Sequence, residues 1–364
     1  GDVDNCPTIS NPDQLDTNVD GVGDLCTINH CVSNSTELQQ VLTAAKSNNM
    51  FDVIMIEQGI YRISENNNNS FTFDSSEAYG LSIKGGYLNG CSERVLSPDN
   101  TILDGEAYLK RVLKINIKVY PAKEFTGDII IEGITVKRGG DGGIYAYIYV
   151  PDYKVDVVLN RNILSNNNIS GYGSGGCGGG AYLKVVFNGD IIFDGNIISG
   201  NTSLSGGGGI LADSANKGDV ILSNNFIDMN SNSNNQGGVV YINGYNKNCK
   251  AVLFNNMIIR NAHTGNGAYN YGGGLSIQTD NITLTNNTIT GNVANQPGGG
   301  IVLSAYSSGV YDIFNNIIWG NSASSGGDIY IYNSNSVIKN IYNNNFYPSK
   351  VAGNPFTNQA NNVN

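Results

Sequence analysis

From about residue 128 onward, apolar and polar residues alternate in short runs that asparagine and glycine interrupt at regular intervals. One segment recurs in steps of 29 to 34 residues, at 155–167, 189–201, 218–230, 250–261, 281–292 and 311–321. In every copy two asparagines stand five positions apart: Asn162 and Asn167, Asn196 and Asn201, Asn225 and Asn230, Asn256 and Asn261, Asn287 and Asn292, Asn316 and Asn321. Three residues before the first asparagine lies a large apolar residue (Leu159, Phe193, Leu222, Leu253, Leu284, Ile313), and two after it lies Leu164, Ile198, Ile227, Ile258, Ile289 or Ile318. Val157, Ile191, Val220, Ala251, Ile282 and Tyr311, five residues before it, share that alternation, so all three sets face inward. The positions between them wander among Val, Thr, Asp and Ser and face outward. A glycine run then feeds a third apolar strand that reaches Leu183, Ala212, Ile242, Ile277, Leu303 or Ile331.

Three short strands per period leave no room for a helical crossover. The pattern therefore predicts an all-β, right-handed, single-stranded parallel β-helix, with three strands per rung and rungs about 4.8 Å apart. Asparagine tolerates the left-handed bend and can bridge its own backbone, so one asparagine per corner predicts stacked amide ladders with left-handed asparagines. Upstream, 128–144 keeps Ile129, Ile131 and Val136 inward but carries Ile134 and Gly139 where asparagines would stand. Counted from residue 52, roughly ten rungs fit.

Ahead of the rungs, Asn34-Ser35-Thr36-Glu37 forms a capping box for a helix of about three turns through LQQVLTAAK, followed by the strand FDVIMIEQGIY. Such a helix hides the open end of a solenoid. The chain divides into an acidic segment (1–30), a cap helix (31–50) and the β-helix with its tail (51–364).

Composition narrows the partners. The chain holds 47 glycines, 56 asparagines and 21 tyrosines, only 14% charged residues, and a net charge of -10. That balance argues against nucleic acid and suits divalent cations. No run approaches the roughly 18 to 20 apolar residues of a membrane span, and no signal segment opens the chain, so a processed or partial soluble product is expected. Six cysteines without CxxC or Cys/His spacing point to disulfides outside the cytoplasm.

Residues 1–26 carry ligand spacing. Asp16, Asn18, Asp20 and Asp24 put oxygens at positions 1, 3, 5 and 9 of a tight loop with Gly21 at position 6, a pattern that suits calcium. The segment resembles a thrombospondin type 3 repeat through Asp4-Asn5-Cys6-Pro7, Asn11-Pro12-Asp13-Gln14 and the run from Asp16 to Cys26. The resemblance implies Asp16, Asn18, Asp20 and Asp24 as calcium ligands, Val22 lending its carbonyl, and Asp2, Asp4 and Asn5 as part of a neighbouring loop. Thr27 stands where the family usually has an acid, and the chain opens mid-repeat, which implies further repeats upstream. The family's cysteine pairing implies Cys6 with Cys26.

Residues 31–356 resemble bacterial β-helix repeat proteins of the pectin-lyase-like superfold, including the polymorphic outer-membrane type. The match rests on Ile83-Lys84-Gly85-Gly86-Tyr87, Cys91-Ser92-Glu93-Arg94, the Gly-Gly-apolar and apolar-x-x-Asn rungs, and Gly353-Asn354-Pro355-Phe356. The resemblance implies an exported, extracellular or cell-surface bacterial protein. With Cys31 before the cap helix and Cys91 beside an early rung, these two are expected to pin the cap. Cys177 and Cys249, about two rungs or 10 Å apart, are expected to stay reduced.

Two function classes follow. One is a calcium-stabilised structural or adhesive rod, able to self-associate into filaments or layers. The other is a polysaccharide lyase, hydrolase or binding module, which needs clustered aspartates with a basic residue, or paired carboxylates. Asp194, Asp228 and Asp312 stand isolated at outward positions. Lys137, Arg138 and Asp141 form one local cluster, and Arg260 with His263 another, with His263 expected in a loop; neither repeats on a neighbouring rung, so no catalytic residue is assigned. Tyr145, Tyr147 and Tyr149 share one face, fit for a sugar platform or for plain strand packing.

Overall fold

A computed structural model describes residues 4–6, 9–17, 21–120, 124–170, 178–204, 206–233, 237–244, 249–266, 272–332, 337–353, 358–360 and 362. Its strands stack in parallel as a β-solenoid with four faces, here numbered in the order the chain visits them. Sheet 1 has 12 strands, sheet 2 nine, sheet 3 five and sheet 4 ten. One turn runs from Val157–Asn160 in sheet 1 to Ile163–Ser165 in sheet 2, Asn168–Ile169 in sheet 3 and Ala181–Val185 in sheet 4. Nine strands in sheet 2 give about nine turns among the described residues, against the roughly ten expected.

The inward columns lie where the alternation predicts. Leu159, Leu164 and Leu183, with their equivalents up the stack, are buried in one continuous core. Register passes straight from turn to turn, Leu164 to Ile198, Ile227, Ile258, Ile289 and Ile318.

Both asparagine ladders form, and every member of the six pairs is buried. The backbone N–H and Nδ2 of Asn162 both donate to Oδ1 of Asn196, while Nδ2 also donates to the carbonyl of Ile131 below. The first ladder continues through Asn344 to Asn362, and the second ends on the carboxylate of Asp328. At the lower end the N–H groups of Ile134 and Gly139 donate to Asn162 and Asn167, so the substitutions seen in the sequence are where the ladders begin.

Two expectations about the corners need correction. The left-handed residue is the one before each ladder asparagine: Arg161, Asn224, Asn255, Asn286 and Asn315 on the first corner, and Asn166, Met229 and Arg260 on the second, all with φ between 52° and 58°. The ladder side chains must point inward to stack, so the preceding residue takes the bend. The rung also has a fourth strand in five turns, two residues long. Its inward column is Ile169, Ser203, Asn232, His263 and Ala294, which moves His263 from a loop into a buried strand.

The cap helix spans Ser35–Ala45. Asn34 accepts from the N–H of Glu37, and Glu37 in turn accepts from the N–H of Ser33. Leu38, Leu42 and Ala45 close the end of the core. Thr27–Val32 forms the first strand of sheet 1, and beneath the cap His30 pairs with buried Asp52 at 2.6 Å.

Both expected disulfides are present. Cys6 joins Cys26 and Cys31 joins Cys91, with Cα separations of 5.7 and 5.8 Å. Cys249 is buried with its sulfur 3.5 Å from the Ser214 hydroxyl, and Cys177, its companion in the expectation, lies outside the described residues.

Candidate functional site

The acidic N-terminal segment folds as a disulfide-closed loop on the outer face of sheet 1. Val22, Cys6 and Cys26 pack with Phe51, Val53 and Tyr79 in a second, smaller core. This contact is tight enough to require glycine two strands further up the sheet: Gly127 has φ +80°, and a Cβ there would stand 2.6 Å from Phe51 and 3.0 Å from Val22. Gly23 is equally constrained, because its Cβ would collide with Asn5 and the Cys6 sulfur.

Of the expected calcium ligands, Asp2, Asn18 and Asp20 lie outside the described residues. Asp16, Val22 and Asp24 share one loop, which closes where the N–H of Asp24 donates to the carbonyl of Leu15 at 2.9 Å. The Asp16 carboxylate accepts from the N–H of Gly21. The Asp24 carboxylate accepts from the hydroxyl and N–H of Thr17, which hold it below the usual carboxylate range. Asp4 and Asn5 belong to a separate network. Asp4 accepts from the N–H of Cys6 and from Gln14, while the Asn5 amide accepts from Asn11 and donates to the Gln14 carbonyl. Residues 1–26 contain six aspartates and no lysine or arginine, so this donor set is hard, anionic and uncompensated by its own sequence.

The basic clusters resolve into cross-rung clamps. Arg138 grips Asp104 through Nε at 2.8 Å and through Nη2, with Lys137 3.7 Å from the same carboxylate. Arg260 grips Asp228 in the same manner at the same corner, four turns further up. Asp141 instead bridges to Ile169 in the backbone, and His263 points into the solenoid, away from Arg260. Asp194 accepts from Ser223 and Asn224, and Asp312 from Asn340.

Sequence reasoning missed a ladder of aspartates at the edge of sheet 1. Asp128, Asp156 and Asp190 each accept the N–H of the next rung's Asp156, Asp190 and Asp219, at 2.7 to 2.9 Å. Lys154 spans two members, 2.9 Å from Asp156 and 3.0 Å from Asp190. Burial first, and then neighbouring aspartates, raise Asp128; Asp219 is raised by burial and by Asp190. The signal was an Asp opening each strand, DIII, DVVL, DIIF and DVIL, which alignment on the asparagines alone overlooked.

On sheet 4, Tyr145, Tyr147 and Tyr149 do face outward together. Tyr145 meets Tyr182 edge-on, Tyr149 meets Phe187 and Tyr120, and Arg111 and Lys118 lie over Tyr145 and Tyr147. Further up this face Lys184 pairs with Asp213 at 2.8 Å, a carboxylate whose pKa burial raises. Cys31, Glu57 and Cys91 also converge, but both sulfurs are consumed in the disulfide, and Glu57 accepts from the N–H of Gly90.

No helix among the described residues is long and apolar enough to cross a membrane. No family model matches the sequence, and neither a curated protein nor a solved structure is significantly similar to the chain.

Proposed function

We propose that this chain is a calcium-stabilised extracellular rod of bacterial origin, structural or adhesive in use, that can serve as a subunit of a surface filament or layer. The observation that carries the reading is the seating of Val22, between two candidate ligands, in a rigid apolar socket on sheet 1. Asp16, Asn18, Asp20 and Asp24, with the Val22 carbonyl, would hold the ion, and Asp2, Asp4 and Asn5 belong to an adjoining unit. Calcium supplies positive charge to a segment that has none of its own. Asp16 and Asp24 already lie on one closed loop, which supports the fit. Two disulfides suit an oxidising compartment. Continuous ladders and one unbroken core suit a load-bearing rod rather than a hinged machine.

The reading is tested by limited proteolysis with and without a chelator. Chelation should open residues 1–26 to cleavage and leave the far-ultraviolet β-signal unchanged; equal protection in both conditions would overturn it.

A second reading, recognition of an extracellular polysaccharide, is favoured by the outward tyrosines of sheet 4, whose ring faces and adjacent cations suit sugars. Affinity electrophoresis in acidic polysaccharide gels, parent against Tyr147→Ala, distinguishes it from plain strand packing.

A further inference from the structure

Two neighbouring faces of the solenoid carry unlike surfaces over the same turns. The outer column of sheet 1 is Ile130, Val158, Ile192, Ile221 and Val252, in direct register and each partly exposed. Asp128, Asp156, Asp190 and Asp219 line one side, outnumbering Lys154 and Lys250, while on the corner shared with sheet 2 Glu132 and Asp194 are balanced by Arg94 and Arg161. The face is thus apolar at its centre and net negative along its ladder edge.

Sheet 2 is its complement. Its outer column is Ile163, Ile197, Phe226, Met257, Thr288 and Ile317, apolar apart from Thr288, with Ile197, Met257 and Ile317 40%, 44% and 47% exposed. On its far edge Lys137, Arg138 and Arg260 outnumber Asp104 and Asp228, so that edge is net positive in a chain of net charge -10. The largest apolar patch on a protein surface is often a functional one.

The lower turns of sheet 1 are already a docking surface. There Val22 and the Cys6–Cys26 disulfide cover Phe51 and Val53, whose column continues through Ser82 into Ile130. Above the loop the same column runs on, partly exposed, now beside the acidic edge.

We infer that sheet 1 of one molecule docks against sheet 2 of a second copy, side by side, with turns aligned. This deepens the rod reading and rests on it. The partner is a second copy because sheet 2 supplies both halves of the required chemistry, aliphatic centre and cationic edge, at the identical rung spacing of about 4.8 Å. The contact is heterologous, so it propagates into a ring or a lateral ribbon rather than stopping at a dimer. Five rungs by one strand width is about 24 Å by 15 Å, roughly 720 Å² over both partners and well below the roughly 1,200 Å² of specific interfaces, so association is weak and transient, concentration-dependent and reduced by salt.

Sedimentation velocity on the full chain tests this, up to about 0.2 mM, where interfaces of this size associate. The parent should form oligomers that shrink on raising salt. Ile192→Lys blocks sheet 1 and Met257→Glu blocks sheet 2; each alone should sediment as a monomer with unchanged circular dichroism, and an equimolar mixture should stop at the dimer. A parent that stays monomeric overturns the inference, while calcium-dependent protection of residues 1–26 would remain as a separate result. Loss of association with Met257→Glu but not with Ile192→Lys also overturns it, in favour of an isologous pair through sheet 2.

Discussion

Nδ2 of Asn256 lies 2.9 Å from Oδ1 of Asn287 one turn above, and 2.8 Å from the carbonyl of Leu222 below, so one buried amide ties three successive turns. Its own Oδ1 accepts two hydrogen bonds from Asn225. Replacing it with alanine strands donors and acceptors on both sides, and buried polar groups left unsatisfied are costly.

Asn256→Ala is therefore expected to cost about 2–4 kcal/mol, whereas Asn255→Gly next to it should be nearly neutral because the left-handed bend there suits glycine. Urea midpoints for the two variants make the comparison. Equal losses would mean that the bend, rather than the ladder, holds the corner.

Ile258→Asp buries a charge in the core column and should cost about 3–5 kcal/mol. Met257→Asp, one residue away and facing outward, should stay within about 0.5 kcal/mol. Thermal melts that rank them the other way would reverse the register.

How much of this was legible follows from which interactions are local. Leu159, Leu164 and the asparagines announce themselves because every turn needs the same residue at the same offset. Asp104 and Arg138 do not, since their pairing depends on how intervening loops of different length bring two rungs into register. The two-residue strands holding Asn232 and His263 are too short to show a period, so a buried histidine looked like a loop residue. Lys339 breaks the apolar rule outright: it occupies the inward column above Tyr311, buried, with its pKa lowered by that burial. Of the candidate metal loop, spacing identified the donors, but only the fold reveals that Val22 anchors them to Phe51.

The aspartate ladder makes stability pH-dependent. Burial raises Asp128 above its unfolded value, so the folded state binds that proton more tightly. The resulting penalty is absent below the unfolded pKa of about 3.9 and complete above the raised folded one. Asp128→Asn keeps an acceptor for the N–H of Asp156 and removes the penalty. It should raise the melting temperature at neutral pH by an amount worth up to about 1 kcal/mol and leave it unchanged at acid pH. A variant less stable than the parent at pH 7 would contradict this.

The Cys31–Cys91 bridge spans 60 residues and ties the strand before the cap helix to an early turn. By chain-entropy reasoning it contributes about 4 kcal/mol. The double variant Cys31→Ser/Cys91→Ser should lower the melting temperature of the cap end first, read as early loss of amide protection around Leu38 and Leu42. Non-reducing peptide mapping should recover Cys6–Cys26 and Cys31–Cys91 with Cys249 free; a Cys177–Cys249 crosslink would contradict the pairing.

Calcium binding by the intact chain is the most direct test of the central claim, through isothermal titration calorimetry of the parent beside Asp24→Ala. The account predicts saturable calcium uptake by the parent, weakened at least tenfold in the variant, a loss of about 1.4 kcal/mol or more, and accompanied in the parent by protection of residues 1–26. A parent that takes up no calcium, or a variant that binds it equally well, would contradict the account.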